Sequence, residues 1–263
     1  MLIEIIIFLF LGLIAGLLAG MFGIGGGLVI VPVLIYCFTN LGFESEIIVQ
    51  LAIGTSIATI IFTGFSSAYS HKLKDSIDYN EVKPVIFGIM FGALLGALTT
   101  VNLNGEILKK MLGIFLFIVS IHTLASSQQF SKIYKTNNFL STFAGSFIGF
   151  WSNIFGIGGG LFSLPYFRAT GLNLKSSIGS SAACGVPIAI FGTLGFVFAG
   201  IENLLLPKYS IGYVYLPALI TISFTSVIMA RFGAELTHSL SHKNLKKLLA
   251  LLFVLISIYM FNV

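Results

Sequence analysis

The chain has 263 residues, of which 57% are hydrophobic and only 9% are charged, and its net charge is +5. A soluble domain carries about 25% charged residues. The composition therefore excludes a water-exposed globular protein and indicates an integral membrane protein. The basic residues are spread over short stretches between apolar runs, which argues against a nucleic-acid-binding surface and against nucleic acid as a partner.

Ten apolar segments follow one another along the chain, five in each half. They cover roughly 2–20, 24–38, 47–68, 84–101 and 107–125 in the first half, and 138–155, 158–169, 177–200, 211–230 and 246–262 in the second. A helix needs about 20 apolar residues to cross a bilayer, so most of these segments predict transmembrane helices. The runs lack the alternation of a β-barrel wall. We therefore expect an all-α integral membrane protein with eight to ten membrane segments.

A glycine-rich motif occurs once in each half. Phe22-Gly23-Ile24-Gly25-Gly26-Gly27-Leu28 is followed by Pro32, and Phe155-Gly156-Ile157-Gly158-Gly159-Gly160-Leu161 is followed by Pro165. The motif and its proline recur at the same interval of 133 residues (22 to 155, and 32 to 165). This indicates an internal duplication. We expect residues 1–130 to form one membrane repeat and residues 131–263 a second, and the two together to act as one unit.

An odd number of segments per repeat gives the two halves opposite orientations in the membrane. If the N-terminus lies outside and all ten segments cross, 11 of the 14 Lys and Arg residues fall on the inside, as the positive-inside rule requires. The sequence thus predicts a multi-pass protein of the cytoplasmic (inner) membrane built from two inverted repeats, a plan found in many secondary transporters. Charge does not decide whether the first two segments of each half cross fully or form a re-entrant hairpin.

The triple glycines Gly25-Gly26-Gly27 and Gly158-Gly159-Gly160 predict a broken helix at membrane depth. Such backbone is tolerated only where it is buried in protein or lines a cavity, and an apolar run follows each break and would begin a new helix. A helix N-terminus presents free N–H groups and about half a positive charge, which suits an anion. These glycines are therefore candidate binding residues for a small anionic solute. The alternative is a tight helix crossing.

Hydroxyl groups and one amide accompany the motifs. Thr55 and Ser56 follow a glycine in the third segment, as Ser180 and Ser181 do in the eighth. Their hydroxyls could donate to the same anion, or could bond their own helix or link two helices. Asn153 precedes the second motif in an apolar stretch, where an amide is costly unless it is satisfied. It is a candidate to contact the solute or to hold the break together.

Catalytic and metal-binding patterns are missing from the sequence. It has no pairing of a nucleophile with a base, no metal-ligand spacing and no ATP-binding motif, so we expect neither an enzyme nor a metal or cofactor. Cys37 and Cys184 stand alone in apolar runs and suggest no disulfide.

The sequence resembles the TauE/SafE family of sulfite and organosulfonate transporters. The resemblance lies in Gly16–Gly27 with Pro32, in Gly54-Thr55-Ser56, in the loop around His71-Lys72-Leu73-Lys74 with Ile77-Asp78, and in the second copy, Gly149–Pro165 with Gly179-Ser180-Ser181. It covers nearly the whole chain. The second copy departs slightly, with Trp151-Ser152-Asn153 where small apolar residues are common.

The resemblance implies uptake or export of a small sulfur-containing anion, driven by an ion gradient. The expected partners are the anionic solute, the lipid bilayer and a coupling ion, either a proton or sodium, and the sequence is compatible with a homodimer. Two alternatives stay open on the residues alone. One is a passive anion channel built on the same breaks, and the other is a membrane assembly partner that transports nothing.

Overall fold

A computed structural model describes residues 2–23, 25–125 and 137–236, together with residues 254, 257 and 258. Most of the tenth predicted segment, 246–262, lies outside the described residues. The predicted boundary between the repeats, near residue 130, and Ile24 of the first motif also lie outside them.

Within the described ranges the chain forms nine α-helices and one short β-hairpin. They are α1 (Leu2–Phe22), α2 (Gly27–Asn40), α3 (Ile48–Lys72), α4 (Tyr79–Asn102), α5 (Gly105–Ala125), α6 (Asn138–Phe155), α7 (Gly160–Ala169), α8 (Leu174–Gly200), β1 (Ser210–Ile211), β2 (Val214–Tyr215) and α9 (Leu216–Leu236). Five of the helices, α1, α3, α4, α8 and α9, are long and apolar enough to cross a membrane. The protein is an all-α integral membrane protein, as its composition predicted.

The helices that follow the two glycine motifs, α2 and α7, are short. They have 14 and 10 residues, which at 1.5 Å per residue gives about 21 and 15 Å. The hydrocarbon core of a bilayer is about 30 Å thick, so neither helix crosses it alone. Their lengths favour the re-entrant alternative for the first two segments of each half.

The two halves of the chain are interleaved. α1 packs along α9, and α4 packs along α6. α3 and α8 pack on each other, and each also contacts one long helix of the other half, α9 and α4 respectively. α3 is buried along most of its length, so it lies near the centre of the bundle. Exchange of α1, α2, α3 and α4 with α6, α7, α8 and α9 converts the α1–α9 contact into α6–α4, the α3–α9 contact into α8–α4 and the α2–α3 contact into α7–α8.

Glycine allows the closest of these helix contacts. A Cβ atom built on Gly16 of α1 would lie 2.3 Å from the Ser226 carbonyl oxygen of α9, and one built on Gly92 of α4 would lie 2.0 Å from the Ser146 carbonyl oxygen of α6. No side chain larger than hydrogen fits at such distances. The small-residue stripes therefore set how closely the long helices approach.

Another pair of glycine contacts, at Gly96 and Gly233, matches residue by residue between the halves. A Cβ on Gly96 would lie 2.4 Å from the Phe150 carbonyl oxygen, and a Cβ on Gly233 would lie 2.2 Å from the Leu17 carbonyl oxygen. Leu17 and Phe150 are separated by 133 residues, the interval between the glycine motifs. Gly96 and Gly233 are separated by 137, because the loops before α4 and α9 differ in length.

The ninth predicted segment begins later than its apolar pattern suggested. Residues 210–215 form an antiparallel hairpin in which Ser210 pairs with Tyr215 and Ile211 with Val214, and α9 starts only at Leu216. Gly212 makes the turn at a φ of +52°. A short run of β-branched and aromatic residues fits the start of a helix or a strand equally well, so the expected start at 211 was wrong.

Candidate functional site

The two glycine motifs share a left-handed backbone conformation at two matched pairs of glycines. Gly26 and Gly159 precede α2 and α7 with φ values of 76° and 79°, and Gly23 and Gly156 have φ values of 66° and 69°. This left-handed region costs a residue with a Cβ atom about 1–2 kcal/mol, which explains the glycines. Neither Gly26 nor Gly159 has a side chain to accept a first-turn N–H group of its helix. Each short helix therefore begins with a positive end that its cap leaves uncovered.

The two breaks meet. A Cβ built on Gly25 would lie 2.8 Å from the Cα of Gly158, and one built on Gly27 would lie 2.0 Å from the Gly156 carbonyl oxygen. The central helices flank this contact, since the same Cβ on Gly25 would lie 3.2 Å from Ile60 of α3. The fold thus brings Gly25 and Gly158, one predicted binding glycine of each motif, into contact, whereas the Cβ positions of Gly26 and Gly159 face Ala15 and Ile188.

A small cavity lies beside this contact. Its volume is about 10 Å³, which is room for roughly one water molecule. Its lining consists of Ala19, Gly23, Gly25, Ile60, Gly64, Ser67, Gly158, Ala182 and Gly185. Of the residues predicted to bind the solute, only Gly25 and Gly158 line it. The cavity is too small for a polyatomic anion.

Two of the predicted hydroxyls join the halves of the protein. The N–H of Tyr215 donates to Thr55 Oγ1 at 2.9 Å, and the N–H of Asp78 donates to Ser180 Oγ at 3.0 Å. Asp78 caps the N-terminus of α4, and Tyr215 directly precedes α9. Each hydroxyl therefore anchors the start of a long helix from the other half.

The other two predicted hydroxyls hold the second break. Ser56 Oγ donates to the Gly156 carbonyl oxygen at 2.9 Å. Ser181 shares a hydrogen bond with Ser163, whose hydroxyl also donates to the Gly159 carbonyl oxygen at 2.9 Å. All four predicted hydroxyls are buried and engaged with protein groups, and none lines the small cavity.

Asn153 lies in the last turn of α6 and is fully buried. Its Nδ2 donates to the Gly149 carbonyl oxygen at 3.1 Å. Its Oδ1 faces α8, because a Cβ built on Gly192 would lie 1.8 Å from that atom. Asn153 does not line the small cavity.

Two residues that the sequence analysis did not assign hold the end of α1 beside the first break. Ser67 Oγ donates to the Ala19 carbonyl oxygen at 3.3 Å. His71 Nε2 lies 3.1 Å from the Gly20 carbonyl oxygen, which requires the proton on that nitrogen. Ser67 and His71 are four residues apart and therefore share one face of α3. That spacing was the one signal in the sequence that could have found them.

Comparisons with known proteins identify the family to which the chain belongs. The family model described as "Sulfite exporter TauE/SafE" matches residues 8–260. A "Probable membrane transporter protein" of Haemophilus influenzae is 38% identical over 98% of both chains. A protein of the same description from Methanocaldococcus jannaschii is 28% identical over 95% of this chain and 92% of its own. No solved structure matches the chain. The chain thus belongs to the TauE/SafE sulfite exporter family, and it is a multi-pass membrane transporter.

Proposed function

We propose that this protein is a secondary transporter that moves a small sulfur-containing anion, such as sulfite or an organosulfonate, across the cytoplasmic membrane by alternating access. The family description supports the class of solute. The observation that carries the mechanism is the contact between the two glycine breaks at Gly25 and Gly158. This contact brings the starts of the two short helices, α2 and α7, close to each other.

Backbone groups supply the attraction for an anion. α2 and α7 begin beside the contact, and each helix start carries about half a positive charge with free N–H groups. The residues that line the adjoining cavity include no charged side chain. A site built from N–H groups in a low-dielectric interior binds an oxyanion without the fixed charge of a lysine or arginine, so the anion can also leave.

The interleaved packing supports two exchangeable conformations. Exchange of the halves converts the α1–α9 contact into the α6–α4 contact, so a related conformation is built from equivalent contacts. The small cavity lies to one side of the Gly25–Gly158 contact, against Ala19 and Ser67. Their counterparts in the second half, Ser152 and Gly192, do not line it. In the exchanged conformation the space would open on the side of the second half, as alternating access requires.

The test is flux of labelled sulfite into liposomes. A Cβ on Gly26 would lie 2.6 Å from the Ala15 carbonyl oxygen, and a Cβ on Gly159 would lie 2.2 Å from Ile188 Cδ1. Gly26→Ala and Gly159→Ala should therefore abolish flux while the protein still inserts. Gly42→Ala is the matched control, because Gly42 also has a positive φ but nothing lies within 4 Å of its Cβ position. Unchanged flux in both motif variants would contradict the proposal.

The same liposomes separate a carrier from a passive channel. A carrier coupled to a proton or sodium gradient should concentrate sulfite inside, whereas a channel would only equalise it. A non-transporting assembly partner would neither bind nor move sulfite in the purified state.

A further inference from the structure

The second break contains two buried oxygen atoms that have no hydrogen-bond partner within the described ranges. They are Ser152 Oγ and Asn153 Oδ1, and both side chains are 0% exposed. The bond from Asn153 Nδ2 to the Gly149 carbonyl oxygen fixes which end of the amide carries the free oxygen. A buried polar atom without a partner costs about 1–3 kcal/mol. Two such atoms on consecutive residues therefore suggest a ligand that supplies what they need.

The position of these oxygens selects a positively charged ligand. Both belong to the last turn of α6, a helix end that carries about half a negative charge. The Ser152 and Asn153 carbonyl groups there accept from the Ile157 and Gly156 N–H groups, so the free oxygens are those of the side chains. An amide oxygen can only accept a hydrogen bond or coordinate a cation. The amide oxygen would repel an anion, so its ligand must be a cation or a neutral donor, and the Ser152 hydroxyl oxygen can accept from or coordinate the same ligand.

The first break shows what satisfies such a helix end in this fold. There the carbonyl groups of Ala19 and Gly20, at the end of α1, are covered by the donors Ser67 and His71 of α3. Hydroxyl and imidazole N–H groups occupy the place that a cation would take. The end of α1 is therefore provided with donors by its own chain.

The second break lacks those donors and has extra acceptors. Gly54 of α3 and its counterpart Gly179 of α8 are 125 residues apart. At the same interval, the counterpart of Ser67 is Gly192 and the counterpart of His71 is Phe196. Neither glycine nor phenylalanine has a polar side-chain hydrogen. The counterparts of Ala19 and Gly20, at an interval of 133, are Ser152 and Asn153. Compared with the first break, the second break therefore lacks the two side-chain donors of the neighbouring helix and has two additional side-chain oxygens at the end of α6.

We propose that the C-terminal end of α6, with Ser152 Oγ and Asn153 Oδ1, binds a monovalent cation, for which sodium is the probe. These two ligands are neutral oxygens, whereas divalent cations favour carboxylates. Carbonyl groups at the ends of broken helices hold sodium in other transporters. This inference rests on the proposed function, since the cation would lie at the negative end of α6 and the anion at the positive start of α7. Each ion would then raise the affinity of the protein for the other.

The experiment measures thermal unfolding of the purified protein in detergent, in sodium, potassium or choline chloride at equal chloride concentration. Sodium should raise the midpoint temperature in a saturable way, by about 5–10 °C at a hundredfold excess over its Kd. Choline should give no such rise. A buried water molecule would satisfy the same two oxygens, and the midpoint would then be the same in all three salts. That result would overturn the proposal.

Two variants test the ligands. Ser152→Ala installs the residue of the first half, and Asn153→Leu keeps a similar volume without an acceptor. Both should abolish the sodium shift yet be at least as stable as the native protein in choline, because each removes an unsatisfied oxygen. Ser223→Ala is the control, since Ser223 Oγ is also buried without a partner in the described structure but lies in α9. It should keep the full sodium shift.

The outcomes separate this inference from the proposed function. If Ser152→Ala, the milder change, keeps the sodium shift, the cation site is wrong even if Asn153→Leu fails to fold. If sulfite is transported equally well in sodium and potassium, and sodium does not shift the midpoint temperature, the proposed transport function is supported and the cation site is refuted. If sodium shifts the midpoint temperature but sulfite is not transported, the cation site is supported and sulfite is refuted as the solute.

Discussion

Gly25 and Gly158 occupy the same place in the two copies of the glycine motif, and they are in direct contact: a Cβ atom on Gly25 would lie 2.8 Å from the Cα of Gly158. The two breaks therefore cannot change shape independently, since a movement of one displaces the other. A coupled pair of this kind suits a site that is shared between two halves.

The first prediction concerns this contact. Gly25→Ala should lower sulfite flux in liposomes at least tenfold, because the new methyl group would collide with the Gly158 backbone at a φ of +76°. The strain and overlap should also lower the free energy of unfolding by about 1–3 kcal/mol. Gly64→Ala is the control, because Gly64 lines the same cavity but its Cβ would have no neighbour nearer than 3.5 Å. Equal flux and equal thermal stability in both variants would show that the contact is unimportant.

The second prediction concerns the bonds that link the halves. Thr55→Val should lower the free energy of unfolding by about 1–3 kcal/mol, because it leaves the buried Tyr215 N–H without its acceptor. Thr55→Ser keeps the hydroxyl and should lose far less. Ser180→Ala should behave as Thr55→Val does, since the Asp78 N–H loses its acceptor in the same way. Thermal unfolding in detergent is the measurement.

The same variants distinguish a structural hydroxyl from a solute-binding one. If Thr55→Val unfolds at the native temperature but no longer binds sulfite, the hydroxyl serves the solute and the bond to Tyr215 is incidental. The geometry predicts the reverse: lower stability, with sulfite binding by the folded fraction largely retained.

The sequence predicted the two breaks but not the partners of the hydroxyls, for a physical reason. A run of three glycines inside an apolar segment has few explanations, so the position of the run by itself predicts where the helix is broken. The acceptor role of Thr55 depends on Tyr215, 160 residues away, and periodicity within a helix carries no information about such a contact. The matching bond from Asp78 to Ser180 was hidden because the intervals between the halves differ from one helix to the next.

The two helix ends at the breaks illustrate the same limit. The sequence drew attention to Asn153 because an amide in an apolar stretch is conspicuous. It gave no reason to compare Asn153 with His71, since these residues belong to different helices and different halves. Only the packing of α3 on α1 reveals that His71 supplies a donor to one helix end, and that the other end has no equivalent.

The third prediction concerns the interface between α4 and α6. Gly92→Ala should lower the free energy of unfolding by about 1–3 kcal/mol or more, because the Cβ would lie 2.0 Å from the Ser146 carbonyl oxygen and the helices would have to separate. Gly16→Ala, in the matching interface of α1 with α9, should have an effect of similar size. Phe91→Ala is the control, since Phe91 is 69% exposed on the outer surface of the same turn, and its loss should change stability by less than about 0.5 kcal/mol. Thermal unfolding that ranks Phe91→Ala as the most damaging change would contradict the packing described.

The fourth prediction concerns His71 and the end of α1. His71→Phe installs the residue found at the matching position of α8 and removes the donor to the Gly20 carbonyl oxygen, so it should lower the free energy of unfolding by about 1–3 kcal/mol. His71→Gln keeps an N–H donor of similar reach and should recover part of that loss. Because the first break would then have an uncovered carbonyl group, His71→Phe should also show a larger sodium-dependent rise of its midpoint temperature than His71→Gln, which keeps only the rise from the end of α6. Thermal unfolding of both variants in sodium and choline chloride would test this, and equal sodium-dependent rises in the two variants would mean that the side chain at residue 71 does not decide whether the first break attracts a cation.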